Sequence, residues 1–218
     1  MSWKLKQKCV RLSAQERLYQ LSIPIIGLTG GIASGKSLTA DFFRGQGLTI
    51  ISADMLIKNI YQTTEAIEYL RREIPTAMDE AGSKINFSKL REIFFNDSFI
   101  RQKLEGFLYL RLPGAFHQEL QQYPGQNVVI YDVPLLFEKN LQNGVDQTLC
   151  VYWSRAEQQK RLQQRDGTNV ELINKILSCQ WDIEEKKKLA NWVIDNTGSK
   201  EDLKKECQKV FKTLFASC

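Results

Sequence analysis

A chain of 218 residues, 43% of them hydrophobic and with a formal net charge of +5, is long enough for one α/β domain with room for an inserted lobe. The longest apolar runs, such as Val128-Val129-Ile130, are only strand-length, which excludes a membrane-spanning helix and a membrane partner. Most of the net charge, +4, falls in residues 1–24, so the body lacks the basic excess of a nucleic-acid face and no nucleic-acid partner is expected.

Residues 1–24 carry Lys4, Lys6, Lys8, Arg11 and Arg17 against Glu16 alone and precede the first strand. They have no long apolar region, so they do not read as a secretory signal. The expectation is an N-terminal extension: a frayed arm or a short docking helix, with a faint likeness to an organelle transit segment. The cysteines (Cys9, Cys150, Cys179, Cys207, Cys218) are scattered without paired spacing. That favours a reducing, cytoplasmic setting over a disulfide framework or a zinc site.

Ile25-Ile26-Gly27-Leu28-Thr29 is a short apolar strand. It runs into Gly30-Gly31-Ile32-Ala33-Ser34-Gly35-Lys36-Ser37, which matches the phosphate-loop pattern in full. Glycines let such a loop curl with its amides turned inward, and those amides with the positive end of the next helix cradle a β-phosphate. Lys36 would add a mobile charge toward the β and γ oxygens, and the Ser37 hydroxyl would ligate Mg²⁺. A flexible Gly/Ser turn explains neither Lys36 nor the strand before it. The chain is therefore expected to bind a nucleoside triphosphate.

A helix follows from Ser37 to Gly45, and then a β-branched strand from Leu48 to Asp54. In a parallel sheet Asp54 would emerge on the ligand-binding rim, where a carboxylate could take a proton from an attacking hydroxyl. Its position fits a helix N-cap equally well. From Met55 to about Gln122 the pattern is helical, with a break at Pro75 and separate helices before and after Pro113. That crossover is too long for a plain βαβ link and reads as an inserted substrate lobe.

The third strand is Asn127 to Pro134, with Leu135-Leu136-Phe137-Glu138 at its exit, and Gln147 to Trp153 is the fourth. Asp132 is either an outer-sphere magnesium carboxylate or a rim residue fixing the turn before Pro134. Arg155 to Leu189 is helical and highly charged. Arg161 and Arg165 are either part of a solvated face or the cations of a lid that closes over phosphate. Glu184 to Lys188 reads as solvated helix surface. Trp192 to Ser199 gives a fifth strand and a turn, and a last helix runs from Glu201 to about Phe215. His117, the single histidine, sits in a helical stretch and reads as surface or lobe packing.

Taken together these motifs resemble the dephospho-CoA kinase family of P-loop enzymes, from about Ile25 to Val210. Beyond the phosphate loop, the resemblance rests on Ala53-Asp54, Leu90-Arg91-Glu92-Ile93-Phe94 and Leu104-Glu105. Asp132-Val133-Pro134-Leu135-Leu136-Phe137-Glu138 is its most specific piece. Gln158, Arg161-Leu162, Arg165-Asp166, Gln180, Lys186, Ala190 and Val193-Ile194-Asp195-Asn196 with Gly198-Ser199 complete it.

The resemblance implies a three-layer αβα P-loop NTPase fold: a five-stranded parallel sheet, an inserted helical substrate lobe and a helical lid. The kinase domain would span 25–218, with its core in 25–54, 123–153 and 190–218, the lobe in 55–122 and the lid in 154–189. It implies transfer of the ATP γ-phosphate to the ribose 3′-hydroxyl of dephospho-CoA, with Mg²⁺. Thr29 and Asp54 match the family's active-site Thr and Asp, and Arg161 its lid arginine. Matching Asp54 to the family's base favours that role over the cap. Arg91 and Pro134 to Glu138 fall where the family lines its substrate cleft, and Asn196 to Ser199 where it holds the adenine.

The chain departs from the family at several places. Ala33 stands for a usual Gly, which is harmless only if the residue is not left-handed. Leu38 replaces a Thr, Ser52 the first Asp of Asp-Ala-Asp, Tyr109-Leu110 a His-Pro, and Asn191 a common Asp. These losses lie mainly on the substrate side. They keep open a related small-molecule or nucleotide kinase with another acceptor, and a non-catalytic ATP-binding protein.

Overall fold

The computed structural model describes residues 2–166 and 178–218, the side chains of 162–166 excepted. It divides into two units, Met1–Ser52 with Tyr123–Cys218, and Ala53–Gln122.

The first unit holds the strands β1 (Trp3–Leu5), β2 (Ile25–Gly30), β3 (Thr49–Ser52), β4 (Val129–Asp132), β5 (Gln147–Tyr152), β6 (Trp192–Asp195) and β7 (Phe215–Ser217). Five of these form one sheet in the order β3-β4-β2-β5-β6, and every pairing in it is parallel. Every residue of β2 and of β4 is buried. Such strands read as unbroken apolar runs because both faces of a parallel sheet are covered. Phe43 and Ala40 of helix α1 (Lys36–Gly45) pack in one core cluster with Ile26, Leu28, Ile130 and Val151. Leu203, Cys207, Val210 and Leu214 of the C-terminal helix Lys200–Leu214 join the same cluster. Because the strands are parallel, the segments that leave β2, β4, β5 and β6 all emerge at one rim.

Residues 2–24 are not a frayed arm or a docking helix. Strand β1 pairs antiparallel with β7, Trp3 opposite Ser217, and the Trp3 ring meets Phe211 edge-on at 4.8 Å. Leu5, Cys9 and Leu21 are buried. The decisive anchor is Arg17, whose Nε donates to Asp146 Oδ2 at 2.7 Å with both side chains buried. Asp146 also accepts the amides of Arg11 at 2.9 Å, Leu12 at 3.0 Å and Ile25 at 3.0 Å. Burial alone would raise the Asp146 pKa, but Arg17 and these amides outweigh it and hold the carboxyl below its ordinary 3.8. Basic composition hid this anchor, since its partner lies 129 residues away.

The second unit is helical: α2 (Ala53–Tyr61), α3 (Thr64–Glu73), α4 (Phe87–Asn96) and α5 (Ser98–Leu120). Side chains cap three of the starts, Thr63 onto Ala66 N, Asn86 onto Lys89 N and Asp97 onto Ile100 N. Its core gathers Leu70, Ile74, Ala77, Met78, Leu90 and Leu104. Two of the expected boundaries differ. Asp54 is not an N-cap, because α2 begins at Ala53 and puts Asp54 inside the first turn. Pro113 does not separate two helices, because α5 runs through it. Pro113 has no N–H to give the carbonyl one turn back, but that turn faces solvent, with Leu110 82% exposed.

The first unit also contains helices α6 (Arg155–Asp166) and α7 (Ile183–Leu189), and Lys200–Leu214 is α8. Among the described residues no helix is long and apolar enough to cross a membrane.

Candidate active site

The segment between β2 and α1 has the backbone that a phosphate cradle needs. Gly35, at the N-cap of α1, is left-handed with φ of 91°, and a Cβ there would collide with the Asn196 side chain. A Cβ on Gly31 would run into the Gln158 amide, so this glycine is required by close approach of a neighbour and not by φ. Ala33 is left-handed too, with φ of 57°. The harmless alternative for this departure from Gly is therefore excluded, and the loop carries a strain of about 1–2 kcal/mol at Ala33.

The loop is held from several sides. Asn196 Nδ2 donates to Ser34 O at 2.7 Å, and Gln180 Oε1 accepts from Ile32 N at 3.1 Å. Arg161 Nη1 donates to Ala33 O at 3.4 Å, and its guanidinium carbon lies 3.4 Å from the centre of the Trp153 ring. Gln158, itself buried, donates to Trp153 O at 2.6 Å and fixes the start of α6. Arg161 is thus seated over the phosphate loop, not lost on a solvated face. The side chain of Arg165 lies outside the described residues.

Lys36 donates to Asp132 Oδ1 as a part-buried ion pair. Leu28 and Ser52 sit opposite Asp132 in the flanking strands. An Asp in place of Ser52 would put a further carboxylate beside Asp132. The Thr29 hydroxyl is buried and donates to Pro134 O at 3.0 Å. It ties the end of β2 to the segment leaving β4.

That segment differs from the expected cleft lining. Leu136 and Phe137 are 0% and 1% exposed. A Cβ on Gly27 would fall 2.8 Å from a Leu136 methyl, which shows how tightly Leu136 is packed on β2. These two residues anchor the segment from below, whereas Pro134 and Leu135 remain partly exposed. Glu138 is nearly buried, and its partner is Lys186 at 2.7 Å. Lys186 is likewise buried, which corrects the reading of Glu184 to Lys188 as all surface. Ile183 and Lys186 share the inner face of α7 at i,i+3 spacing. That spacing was the one available signal.

Among the other positions, Asn191 Oδ1 accepts from Thr148 N at 3.0 Å and from Thr148 Oγ1 at 3.1 Å. One acceptor oxygen serves there, so the change from Asp removes nothing that this contact needs. Leu38 is half exposed on α1, and Gly198 packs against Asp202. Asp54 and Arg91 are exposed positions of the second unit, in α2 and α4. Within the first unit the structure therefore brings together the phosphate loop, Asp132, Pro134, Arg161 and Asn196. Trp153, Gln158, Gln180 and Lys186 join them, and site reasoning from the sequence had given none of these four a role.

A family model described as dephospho-CoA kinase matches residues 24–202. The chain belongs to the dephospho-CoA kinase family. A dephospho-CoA kinase of Fusobacterium nucleatum is 34% identical over 194 residues, covering 89% of this chain and all of that one. The Geobacillus kaustophilus dephospho-CoA kinase is 33% identical over 190 residues, 86% of this chain and 94% of its own. The crystal structure of TT1252 from Thermus thermophilus superposes with a TM-score of 0.78 at 31% identity, covering 88% of this chain and 97% of that one. A dephospho-CoA kinase from Campylobacter jejuni gives 0.58 at 26% identity, over 87% and 96%. Dephospho-CoA kinase family membership makes the chain an ATP-dependent phosphotransferase, and ATP is the nucleotide for which the phosphate loop is built.

Proposed function

We propose that this chain transfers the γ-phosphoryl group of ATP to the ribose 3′-hydroxyl of dephospho-CoA, giving coenzyme A and ADP. The observation that carries the reading is the complete phosphate loop, Gly30 to Ser37, with Arg161 seated on it, in a chain of the dephospho-CoA kinase family. The loop amides and the N-terminus of α1 bind the β-phosphate, and Lys36 follows the charge that builds on the transferred group. Arg161 neutralises charge on the γ-phosphoryl and on departing ADP. The acceptor oxygen forms its bond to γ-phosphorus in line with the breaking bond to ADP, and Asp54 takes the hydroxyl proton.

The residues present fit Mg²⁺. The Ser37 hydroxyl and the Asp132 carboxylate are hard oxygen donors, and magnesium is usually held by one or two such groups together with substrate phosphates. Among the described residues no three His, Cys, Asp or Glu side chains gather into an all-protein cage. Bound there, the ion would supply charge neutralisation of the β and γ oxygens.

The test is ADP release from Mg-ATP with and without dephospho-CoA, with Asp54→Asn run beside the parent. Acceptor-dependent release that collapses in the variant is expected. Release that survives in the variant returns Asp54 to a structural role. The departures at Ser52 and Tyr109-Leu110 favour, as the second reading, a kinase of the same family for another acceptor. Release that depends on another alcohol, and not on dephospho-CoA, would establish it.

A further inference from the structure

Lys186 stands in the run Glu184-Glu185-Lys186-Lys187-Lys188, yet its side chain is fully buried. Its Nζ lies 2.7 Å from Glu138 Oε1 and donates to the Pro134 carbonyl at 2.9 Å. The Thr29 hydroxyl donates to that same carbonyl at 3.0 Å. Glu138 Oε1 also accepts the Trp181 amide at 2.8 Å, and the neighbouring Gln180 holds Ile32 N. The stretch Gln180 to Lys186 is therefore fastened to the phosphate loop at one point and to the segment leaving β4 at three.

A buried ammonium is costly unless it is paired and hydrogen-bonded, and a site that needed only volume would take a Leu or Met. Lys186 is satisfied by two acceptors, both of which belong to Pro134–Glu138. Burial pushes the nearby Cys150 thiol up to about 12. That thiol therefore stays protonated and does not compete for the ammonium. Two donors converging on the Pro134 carbonyl, one from β2 and one from α7, leave this turn little freedom.

We propose that Lys186 is a positioning residue for the transfer reaction. By neutralising Glu138 and gripping the Pro134 carbonyl, it fixes the Pro134–Glu138 segment in the arrangement that receives the acceptor. The inference rests on the kinase reading above, with Pro134 and Leu135, the partly exposed residues of this segment, offered to the acceptor. Its consequence is asymmetric: loss of Lys186 weakens use of dephospho-CoA and leaves ATP binding as it was.

The test uses the full chain carrying Lys186→Met, and the pair Lys186→Met with Glu138→Gln, which leaves no lone carboxylate buried if the single variant fails to fold. The KM for dephospho-CoA is expected to rise about ten- to a hundredfold, because small displacements of a positioning group cost that much. The KM for ATP is expected to stay at the parent value. Amide exchange at Trp181 and at residues 135–138 is expected to quicken. A folded double variant with unchanged KM for the acceptor overturns the proposal, and so does an equal rise for both substrates. If the parent releases no ADP in response to dephospho-CoA, the kinase reading falls instead. Exchange then tests the grip of Lys186 on the segment separately: parent-like protection at 135–138 and Trp181 overturns the proposal, and quickened exchange upholds that grip.

Discussion

Replacing Arg17 with Met removes the cation from a pair in which both side chains are buried, 6% and 0% exposed. The stem volume is kept, so the change isolates the charge. Breaking a buried pair by deleting one partner costs about 3–5 kcal/mol, because the remaining charge is left uncompensated. Asp146 keeps the amides of Arg11, Leu12 and Ile25, which places the cost at the lower end, about 3 kcal/mol. For a chain of this size that corresponds to a Tm lower by about 6–12 °C. The pH dependence has a definite sign. The folded Asp146 carboxyl titrates below its ordinary 3.8, so the stabilisation is complete above that value and fades as pH falls through the folded pKa. The deficit of Arg17→Met is thus full at neutral pH and narrows only in acid below that value. Thermal melts followed by circular dichroism at neutral and acid pH read both features. A Tm within a degree or two of the parent at neutral pH would refute the assignment of this pair as the anchor of the N-terminal segment.

Arg161→Ala is expected to lose about 10³–10⁵ in turnover, the range for a cation placed on the transferred phosphoryl group. Equilibrium binding of ATP should persist, and normal turnover would sink the role. Ala33→Gly should relieve the left-handed residue in the phosphate loop, partly offset by the greater freedom of glycine in the unfolded chain. The net gain is about 0.5–1 kcal/mol. A melt should show it as a Tm higher by about 1–4 °C, and a lower Tm would mean that the strain is not at Ala33.

The features legible in the sequence are those with a local cause. The phosphate loop shows itself through an apolar strand, spaced glycines and Lys36-Ser37, all within a few residues. The parallel strands appear as apolar, β-branched runs, largely buried in β2 to β5 and only partly in β6. Strand order does not appear there, because it depends on which crossovers return to which edge. The N-terminal segment misled for the same reason: its composition is basic, while its structure depends on Asp146 and on β7. Lys186 was hidden by its neighbours, since a lysine between Glu185 and Lys187 looks solvated until the inner face shared with Ile183 is considered. Pro113 overstated a boundary, because the hydrogen bond it removes falls on a solvent-facing turn of a helix that continues through it. Leu136 and Phe137 belong to the family signature, yet they serve it from within the core. A motif marks a region, and burial decides which of its side chains can meet a ligand.

The pairing of β1 with β7 also sets a clock on synthesis. Trp3 reaches its place only when Ser217 exists to lie opposite it. At about 5–20 residues per second, the strand leaves the ribosome on the order of 10–40 s before its partner is made. Through that interval the exposed Trp3 and Leu5 travel with the growing chain, and a strand made long before its partner is among the last to be closed.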